Sequence, residues 1–184
     1  MFRGLVIFII LNFYTPALTS MKKDIISKMQ ITNNLSFNFI QTIDEKSENG
    51  MCILEYPKKI YCEYDGANKK IIVSNGRSLV IKTNNNNNYH FYSLDRTPLK
   101  YILDKEYLIS KIKMLEPRNI NDEYLNFKIF ENNNEISIFF DKKSLNLIGW
   151  QTKDIYQNLN ITFISSVKIN QKIDKKKFIL PENN

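Results

Sequence analysis

The feature that most constrains the fold is a two-residue alternation of apolar and polar side chains, which recurs in short runs along most of the chain. In NLSFNFIQTI (34–43), Leu35, Phe37, Phe39 and Ile43 share one parity, and polar residues mostly occupy the other. Successive side chains of a β-strand point to opposite faces, so this period predicts a strand with one buried face. Similar runs occur at 48–56, 60–64, 69–82, 89–94, 124–130, 135–140, 145–155 and 159–169.

Turn signals between these runs predict that neighbouring strands pair antiparallel. Asn75-Gly76 separates two β-rich runs and is typical of a type I′ hairpin turn. The segments 132–134 (NNN) and 142–144 (KKS) mark two further turns.

Two segments have helical periodicity instead. In 20–31, Ile25, Ile26 and Met29 are spaced along one helix face. In 97–109, a Thr-Pro start followed by apolar residues at helical spacing predicts a short helix. Nine or ten antiparallel strands with two helices indicate a mainly β (α+β) fold, in which one strongly curved sheet has helices packed over one mouth or face.

The alternate strand positions that carry apolar side chains are rich in Phe, Tyr, Ile and Leu. If the space between sheet and helices is filled by these side chains, they form an ordinary core. If it is filled incompletely, they line a hydrophobic pocket. The periodicity is the same in both cases, so both interpretations stay open at this point.

The N-terminus has the pattern of an export signal. A short positive start (MFR) precedes the apolar stretch Gly4–Phe13, and small residues follow at 15–19. The stretch is short for a membrane span, so cleavage is favoured over an uncleaved anchor or a buried first helix. We predict a signal peptide at residues 1–19, a single domain at residues 20–184, and an extracytoplasmic location in which disulfides persist.

The chain contains two cysteines, Cys52 and Cys62, on two strands flanking a Pro-Lys-Lys turn. They are directly opposite if the turn centres on Pro57 and diagonal if it centres on Lys58, and both registers put them on one sheet face. We predict a disulfide between them, with two buried thiols as the alternative.

Residues suited to catalysis or metal binding are sparse. The single histidine, His90, lies in a strand-like run between aromatic residues, which is typical of a structural role. The sequence lacks the His, Cys and carboxylate spacing of metal sites and the common catalytic motifs. We therefore expect neither an enzyme nor a metal or cofactor protein. The net charge of +7 comes mostly from scattered lysines, which favours a solvated surface over a site for anionic lipid or nucleic acid.

Several short motifs resemble, in order and spacing, those of the bacterial outer-membrane lipoprotein carrier (LolA) family over residues 21–184. They are FIQ (39–41), Gly50 followed by a strand ending in Tyr-Pro (56–57), IIVSNGRSL (71–79), TPLKYIL (97–103), LIGWQTKD (147–154) and the spaced ending Asn170, Ile173, Phe178 and Pro181. The resemblance implies an unclosed antiparallel β-barrel with an α-helical lid and a hydrophobic cavity for lipoprotein acyl chains. It also implies a monomeric periplasmic carrier that receives acylated lipoproteins from an inner-membrane lipoprotein-releasing ABC transporter and delivers them to the outer membrane.

Under this resemblance the cavity wall and the lid are assigned to apolar residues. Three positions depart from the family pattern. Tyr56 stands where the family commonly has an arginine that latches the lid, and Cys52 and Cys62 replace a Leu-like residue and a Trp of the cavity. A different or weaker latch, and a disulfide joining two cavity-lining strands, are the corresponding expectations. The predicted wall comprises Phe37, Phe39, Leu54, Tyr56, Ile60 and Tyr64, and the predicted lid side Leu99, Ile102 and Leu103.

An alternative function has the same fold. An exported module of this kind can sense lipid or mislocalised lipoprotein and regulate a partner. Such sensors usually carry an additional domain, and none is recognisable here, so carriage is preferred.

Overall fold

The computed structural model describes residues 16–67, 69–83, 88–153 and 157–181. Most of the predicted export signal lies in residues 1–15, outside the described residues. Two short pieces of the predicted strand and loop regions, 84–87 and 154–156, also lie outside them.

The strands form one antiparallel sheet, whose order is β6-β5-β4-β3-β2-β1-β11-β10-β9-β8-β7. The first and last strands in this order do not pair with each other, so the sheet is not closed. This confirms the predicted fold class. The strands are β1 (Asn34–Ile43), β2 (Lys46–Glu55), β3 (Lys59–Tyr64), β4 (Ile71–Asn75), β5 (Ser78–Thr83), β6 (Asn88–Ser93), β7 (Arg118–Ile120), β8 (Tyr124–Glu131), β9 (Asn134–Asp141), β10 (Leu147–Lys153) and β11 (Leu159–Ile169).

The helices lie at the N-terminus and in the middle of the chain. α1 spans Pro16–Ile31, α2 spans Leu99–Ile102 and α3 spans Lys105–Met114. Short 3-10 helices occupy Leu94–Arg96 and Lys175–Phe178. The single mid-chain helix predicted over 97–109 is thus two helices, because Asp104 has extended backbone and caps α3 by accepting a hydrogen bond from the Tyr107 N–H.

The turn between β4 and β5 differs in type from the prediction. The two central residues are Gly76 and Arg77, since Ser74 pairs with Leu79. Only Gly76 has positive φ, at 100°. A type I′ turn needs positive φ at both central positions, whereas type II′ needs it at the first, so the observed pattern is that of type II′.

The helices cover one face of the sheet, which we call the inner face. Its side chains form one apolar cluster with Ile25 of α1, Leu108 and Ile112 of α3, and the residues of α2. The opposite, outer face carries a smaller apolar contact, in which the C-terminal 3-10 helix packs against β3 and β4 and its residue Phe178 is buried. The two faces therefore offer separate surfaces for binding.

Candidate functional site

The residues predicted to line a cavity come together in the structure. All of them belong to the inner-face cluster or pack against it, with Tyr56 and Leu99 half-buried at its margin. Whether they contact a ligand stays a prediction. The buried members are Phe37, Phe39, Leu54, Ile60 and Tyr64 from the sheet, and Ile102 and Leu103 from the α2 segment.

Aromatic rings on the inner face pack edge-on. The Phe39 and Tyr64 rings lie 4.7 Å apart between centroids. Gly50 is paired with both residues and lies between them in the sheet. Because glycine has no side chain, the two rings meet across the strand that separates them. The Phe37 and Trp150 rings make a similar contact at 6.3 Å.

A short polar chain crosses the inner face beside these rings. The Tyr64 hydroxyl donates to Gln41 Oε1 at 2.8 Å, and Gln41 Nε2 donates to Thr162 Oγ1 at 3.3 Å. Gln41 alternates in register with Leu35, Phe37 and Phe39 in β1, and these bonds explain how a polar side chain is accommodated on the apolar face. Burial, together with the charge of Glu48, raises the pKa of Tyr64 above its ordinary value, so the phenol stays protonated and acts as a donor.

The space between sheet and helices is largely filled. The cleft that opens from it has a volume of about 40 Å³, whereas a cavity that holds benzene has a volume of about 150 Å³. The conformation described here therefore lacks room for an acyl chain in this cleft. The cleft is lined by Lys28, Met29, Thr32, Leu35, Tyr56, Leu108, Phe140, Leu145, Asn146, Leu147, Val167 and Ile169.

Tyr56 is the member of the predicted wall that lines this cleft, and the other lining residues were not predicted as site residues. Their signals in the sequence were the helical spacing of Met29 and the strand alternation of Leu35, Val167 and Ile169. Those signals place a residue on an apolar face. They do not show which end of a strand the helices leave uncovered.

Cys52 and Cys62 are directly opposite each other in the β2–β3 hairpin, with Cα atoms 4.1 Å apart. Of the two registers that the sequence left open, this is the one centred on Pro57. The structure joins the two Sγ atoms in a disulfide that is buried on the inner face. It crosslinks two strands that bear predicted wall residues.

The helices α1, α2 and α3 cover the inner face and together are called the lid. Near Tyr56 the lid is held by neighbouring lysines. The Tyr56 hydroxyl forms no hydrogen bond with the residues that the structure describes, while its ring lies 5.7 Å from Lys105 Nζ. The Lys58 N–H donates to the Leu103 carbonyl at 2.9 Å, and Lys58 Nζ lies 3.3 Å from Asp104 Oδ2. The β2–β3 turn is thus joined to the helical segment at the residue that caps α3.

Lys105 joins two helices of the lid, α3 and α1. Its Nζ donates to the carbonyl oxygens of Gln30 at 3.1 Å and Thr32 at 2.9 Å, at the C-terminal end of α1. A cation there also opposes the negative end of the helix dipole. The other end of α1 is bonded in a similar way, because Lys22 Nζ donates to the Leu115 carbonyl beyond the end of α3 at 3.0 Å.

A third contact joins α3 to the sheet. Lys111 Nζ lies 2.6 Å from Glu131 Oε2, and the Tyr107 hydroxyl donates to the same oxygen at 3.2 Å. The hydrogen bond from Lys111, followed by that from Tyr107, lowers the pKa of Glu131, so the carboxylate is ionised at neutral pH. All these polar contacts lie at the margin of the lid, and its centre is apolar.

Within the described residues, no group of three His, Cys, Asp or Glu side chains is placed to hold a metal ion. None of the helices described is long and apolar enough to cross a bilayer. His90 is exposed on the edge strand β6 and does not belong to the inner-face cluster.

Residues 30–180 match the family described as outer membrane lipoprotein carrier protein LolA. None of the curated proteins matches the sequence. An uncharacterized conserved protein from Thermus thermophilus has a similar fold, with a TM-score of 0.52, 6% identity, and coverage of 90% of this chain and 95% of that chain.

Two further solved structures are similar at lower TM-scores. A LolA superfamily protein from Nitrosomonas europaea has a TM-score of 0.47 and 10% identity, over 89% of this chain and 97% of that chain. A putative outer membrane lipoprotein-sorting protein domain from Vibrio parahaemolyticus has a TM-score of 0.49 and 7% identity, over 86% of this chain and 94% of that chain.

Proposed function

The chain belongs to the LolA family of outer membrane lipoprotein carrier proteins, and from this premise we propose that it carries lipoproteins by enclosing their acyl chains between its sheet and its helices. The observation that carries the proposal is the continuous apolar cluster that joins the inner face of the sheet to α1, α2 and α3. Carriage of this kind needs apolar contact and a movable cover. It needs no nucleophile, metal or cofactor, and we propose that the protein is not an enzyme.

The energetics of acyl chains explain why a carrier must enclose them. Exposing an acyl chain to water costs about 0.8 kcal/mol per CH₂. A chain of roughly sixteen carbons therefore costs on the order of 12 kcal/mol in water. The apolar side chains of the inner face and of the lid offset this cost if they surround the chain.

Because the cleft holds only about 40 Å³, the helices must move to admit an acyl chain. The polar contacts of Lys58, Lys105 and Lys111 lie at the lid margin, where water can replace them. Partly exposed ion pairs of this kind contribute about 0–1 kcal/mol each. The lid is therefore held mainly by apolar contacts, and an entering acyl chain supplies equivalent contacts.

The proposed route follows from the family. The protein works in the periplasm, receives acylated lipoproteins from a lipoprotein-releasing ABC transporter of the inner membrane, and delivers them to the outer membrane. Uptake and release both use the same opening between α1, α3 and the sheet, in which Tyr56 occupies the place of the family's latching arginine.

Site-specific photo-crosslinking tests where the cargo binds. A photoreactive amino acid at Met29, which lines the cleft, should crosslink to a tri-acylated lipoprotein. The same amino acid at Met51, which is 42% exposed on the outer face, is the matched control. Crosslinks of equal yield at both positions, or equal crosslinking to a cargo without acyl chains, would contradict binding at the inner face.

Depletion in the cell separates carriage from sensing. Loss of a carrier should leave lipoproteins in the inner-membrane fraction. Loss of a sensor should change signalling through its regulated partner while lipoproteins reach the outer membrane normally. Normal sorting after full depletion would refute the carrier proposal.

A further inference from the structure

A groove on the outer face of the sheet lies on the opposite side from the proposed cargo site. It has a volume of about 440 Å³ and runs between the strands β3–β6 and the C-terminal segment that follows β11. It is lined by Tyr61, Ile71, Val73, Val80, Lys82, Tyr89, Asp174, Lys176, Lys177, Ile179, Leu180 and Pro181.

The groove combines an aliphatic floor with a basic rim. Ile71, Val73 and Val80 come from β4 and β5, while the lysines of the lining come from β5 and from the C-terminal segment. Lysine stems extend along apolar surface while their ammonium groups stay in water. The arrangement suits a ligand that carries negative charge above an apolar region.

The rim retains net positive charge. Lys82 Nζ lies 5.3 Å from the Tyr89 ring, and Lys177 Nζ lies 4.5 Å from the Tyr61 ring and 3.8 Å from Glu63 Oε1. Asp174 is the acidic residue in the lining, and its carboxylate accepts the Lys176 N–H. The ammonium groups of Lys82 and Lys176 form no ion pair with the residues that the structure describes.

An exposed apolar side chain stands beside these lysines. Ile179 is 70% exposed, although the residue before it, Phe178, is buried against the sheet. The buried ring fixes the segment, so the isoleucine is held outward next to the basic rim. A protruding apolar residue among lysines is the combination that binds the headgroup region of an anionic bilayer.

We propose that this outer-face groove, with Ile179, docks the protein onto the surface of an anionic phospholipid bilayer. The lysines attract the headgroups, and the isoleucine enters the boundary between headgroups and acyl chains. The proposal goes beyond lipoprotein carriage, because it uses the face that the cargo does not occupy. Docking through the outer face leaves α1 and α3 free to move.

Vesicle flotation of the cargo-free protein tests the proposal. The protein should float with vesicles of phosphatidylglycerol and phosphatidylcholine, but not with phosphatidylcholine alone, and high salt should release it. Replacing both Lys82→Gln and Lys176→Gln should lower the partition coefficient roughly twenty-five-fold, at about fivefold per lysine. The double replacement Lys113→Gln and Lys143→Gln removes the same charge from exposed lysines outside the groove and should leave binding unchanged.

A second pair of variants tests the apolar contact. Ile179→Ser should weaken partition about tenfold, while Met114→Ser, at a position of 71% exposure on α3, should have no effect. Equal loss in groove and control variants, or no binding to phosphatidylglycerol vesicles, would overturn the proposal. Binding of dispersed short-chain phosphatidylglycerol without vesicle binding, or dimerisation through this face, would also overturn it. No lipoprotein is present in the assay, so these results are independent of the carrier function.

Discussion

At the scale of single residues, Gly50 shows how closely the inner face is packed. A Cβ atom at this position would lie 2.1 Å from the Glu63 carbonyl oxygen, which belongs to the backbone of the neighbouring strand. We predict that Gly50→Ala lowers the free energy of unfolding by about 1–3 kcal/mol, the usual cost of overpacking. Urea denaturation measures this change.

The matched control for Gly50 is its neighbour Met51. Met51→Ala changes an exposed side chain on the outer face of the same strand. It should alter the free energy of unfolding by no more than about 0.5 kcal/mol. If both variants were equally stable, β2 and β3 would have to separate more easily than the structure indicates.

Several tyrosines predict how stability responds to alkaline pH. Burial, then the hydrogen bond to Glu63 and the charge of that residue, raises the pKa of Tyr61 to about 12. Burial is also the first cause of the raised pKa values of Tyr64 and Tyr107. Unfolded tyrosine ionises near pH 10, so unfolding releases protons above that pH. The free energy of unfolding should therefore be steady below about pH 10 and fall as pH rises further.

Urea denaturation over a series of pH values measures this fall. Tyr64→Phe should reduce its slope, because one of the groups that ionises only on unfolding has been removed. Tyr92→Phe, at an exposed position on β6, should not change the slope. An unchanged slope in Tyr64→Phe would mean that the buried phenol does not contribute.

At the scale of elements, the disulfide between Cys52 and Cys62 crosslinks the two strands of the β2–β3 hairpin. Both strands bear residues of the predicted cavity wall. We predict that mass spectrometry of the exported protein detects the disulfide. Reduction should lower the free energy of unfolding by roughly 2–3 kcal/mol, since the closed loop is short. A double Cys→Ala variant separates loss of the crosslink from side effects of the reductant. Free thiols at both positions in the exported protein would refute the prediction.

The lid gives a second prediction at this scale. Lys105→Met removes the two hydrogen bonds to the end of α1 and keeps the length of the side chain. The free energy of unfolding should fall by only about 1 kcal/mol, because the contacts are at the surface. Hydrogen exchange in α1 and α3 should accelerate, and so should uptake and release of a fluorescent fatty acid. Lys113→Met, an exposed position on the same helix, is the control, and equal rates in both variants would show that Lys105 does not restrain the lid.

The elements also show what a sequence can and cannot predict. The alternation in 34–43 and 159–169 coincides with β1 and β11, because a half-buried strand requires that pattern. β7 escaped prediction because three residues are too few to alternate recognisably. The break between α2 and α3 escaped because apolar residues at helical spacing occur on both sides of Asp104, whereas it is the extended backbone of Asp104 that separates the helices and its side chain that caps α3.

At the scale of the whole molecule, the same apolar cluster serves as the core and as the proposed cargo site. Sequence periodicity could not separate a solid core from a cavity, and the structure supplies a reason. Residues such as Ile25 and Leu108 fill the interior while the lid is closed. Fully burying a side chain of this size contributes about 1.5–3 kcal/mol. An acyl chain must displace several such contacts, so part of its gain of about 12 kcal/mol is offset and release remains feasible.

The one tryptophan of the chain makes this exchange measurable. Trp150 is 7% exposed and packs edge-on against Phe37 within the inner-face cluster. A fatty acid brominated along its chain quenches tryptophan fluorescence only on close approach. We therefore predict strong quenching of Trp150 when the brominated acid binds, and none by its unbrominated counterpart. Acrylamide, a soluble quencher, should have little effect on the closed protein, because the ring is almost completely buried. If the brominated acid bound without quenching Trp150, the acyl chain would have to lie outside the inner-face cluster, and the cluster would be only a core.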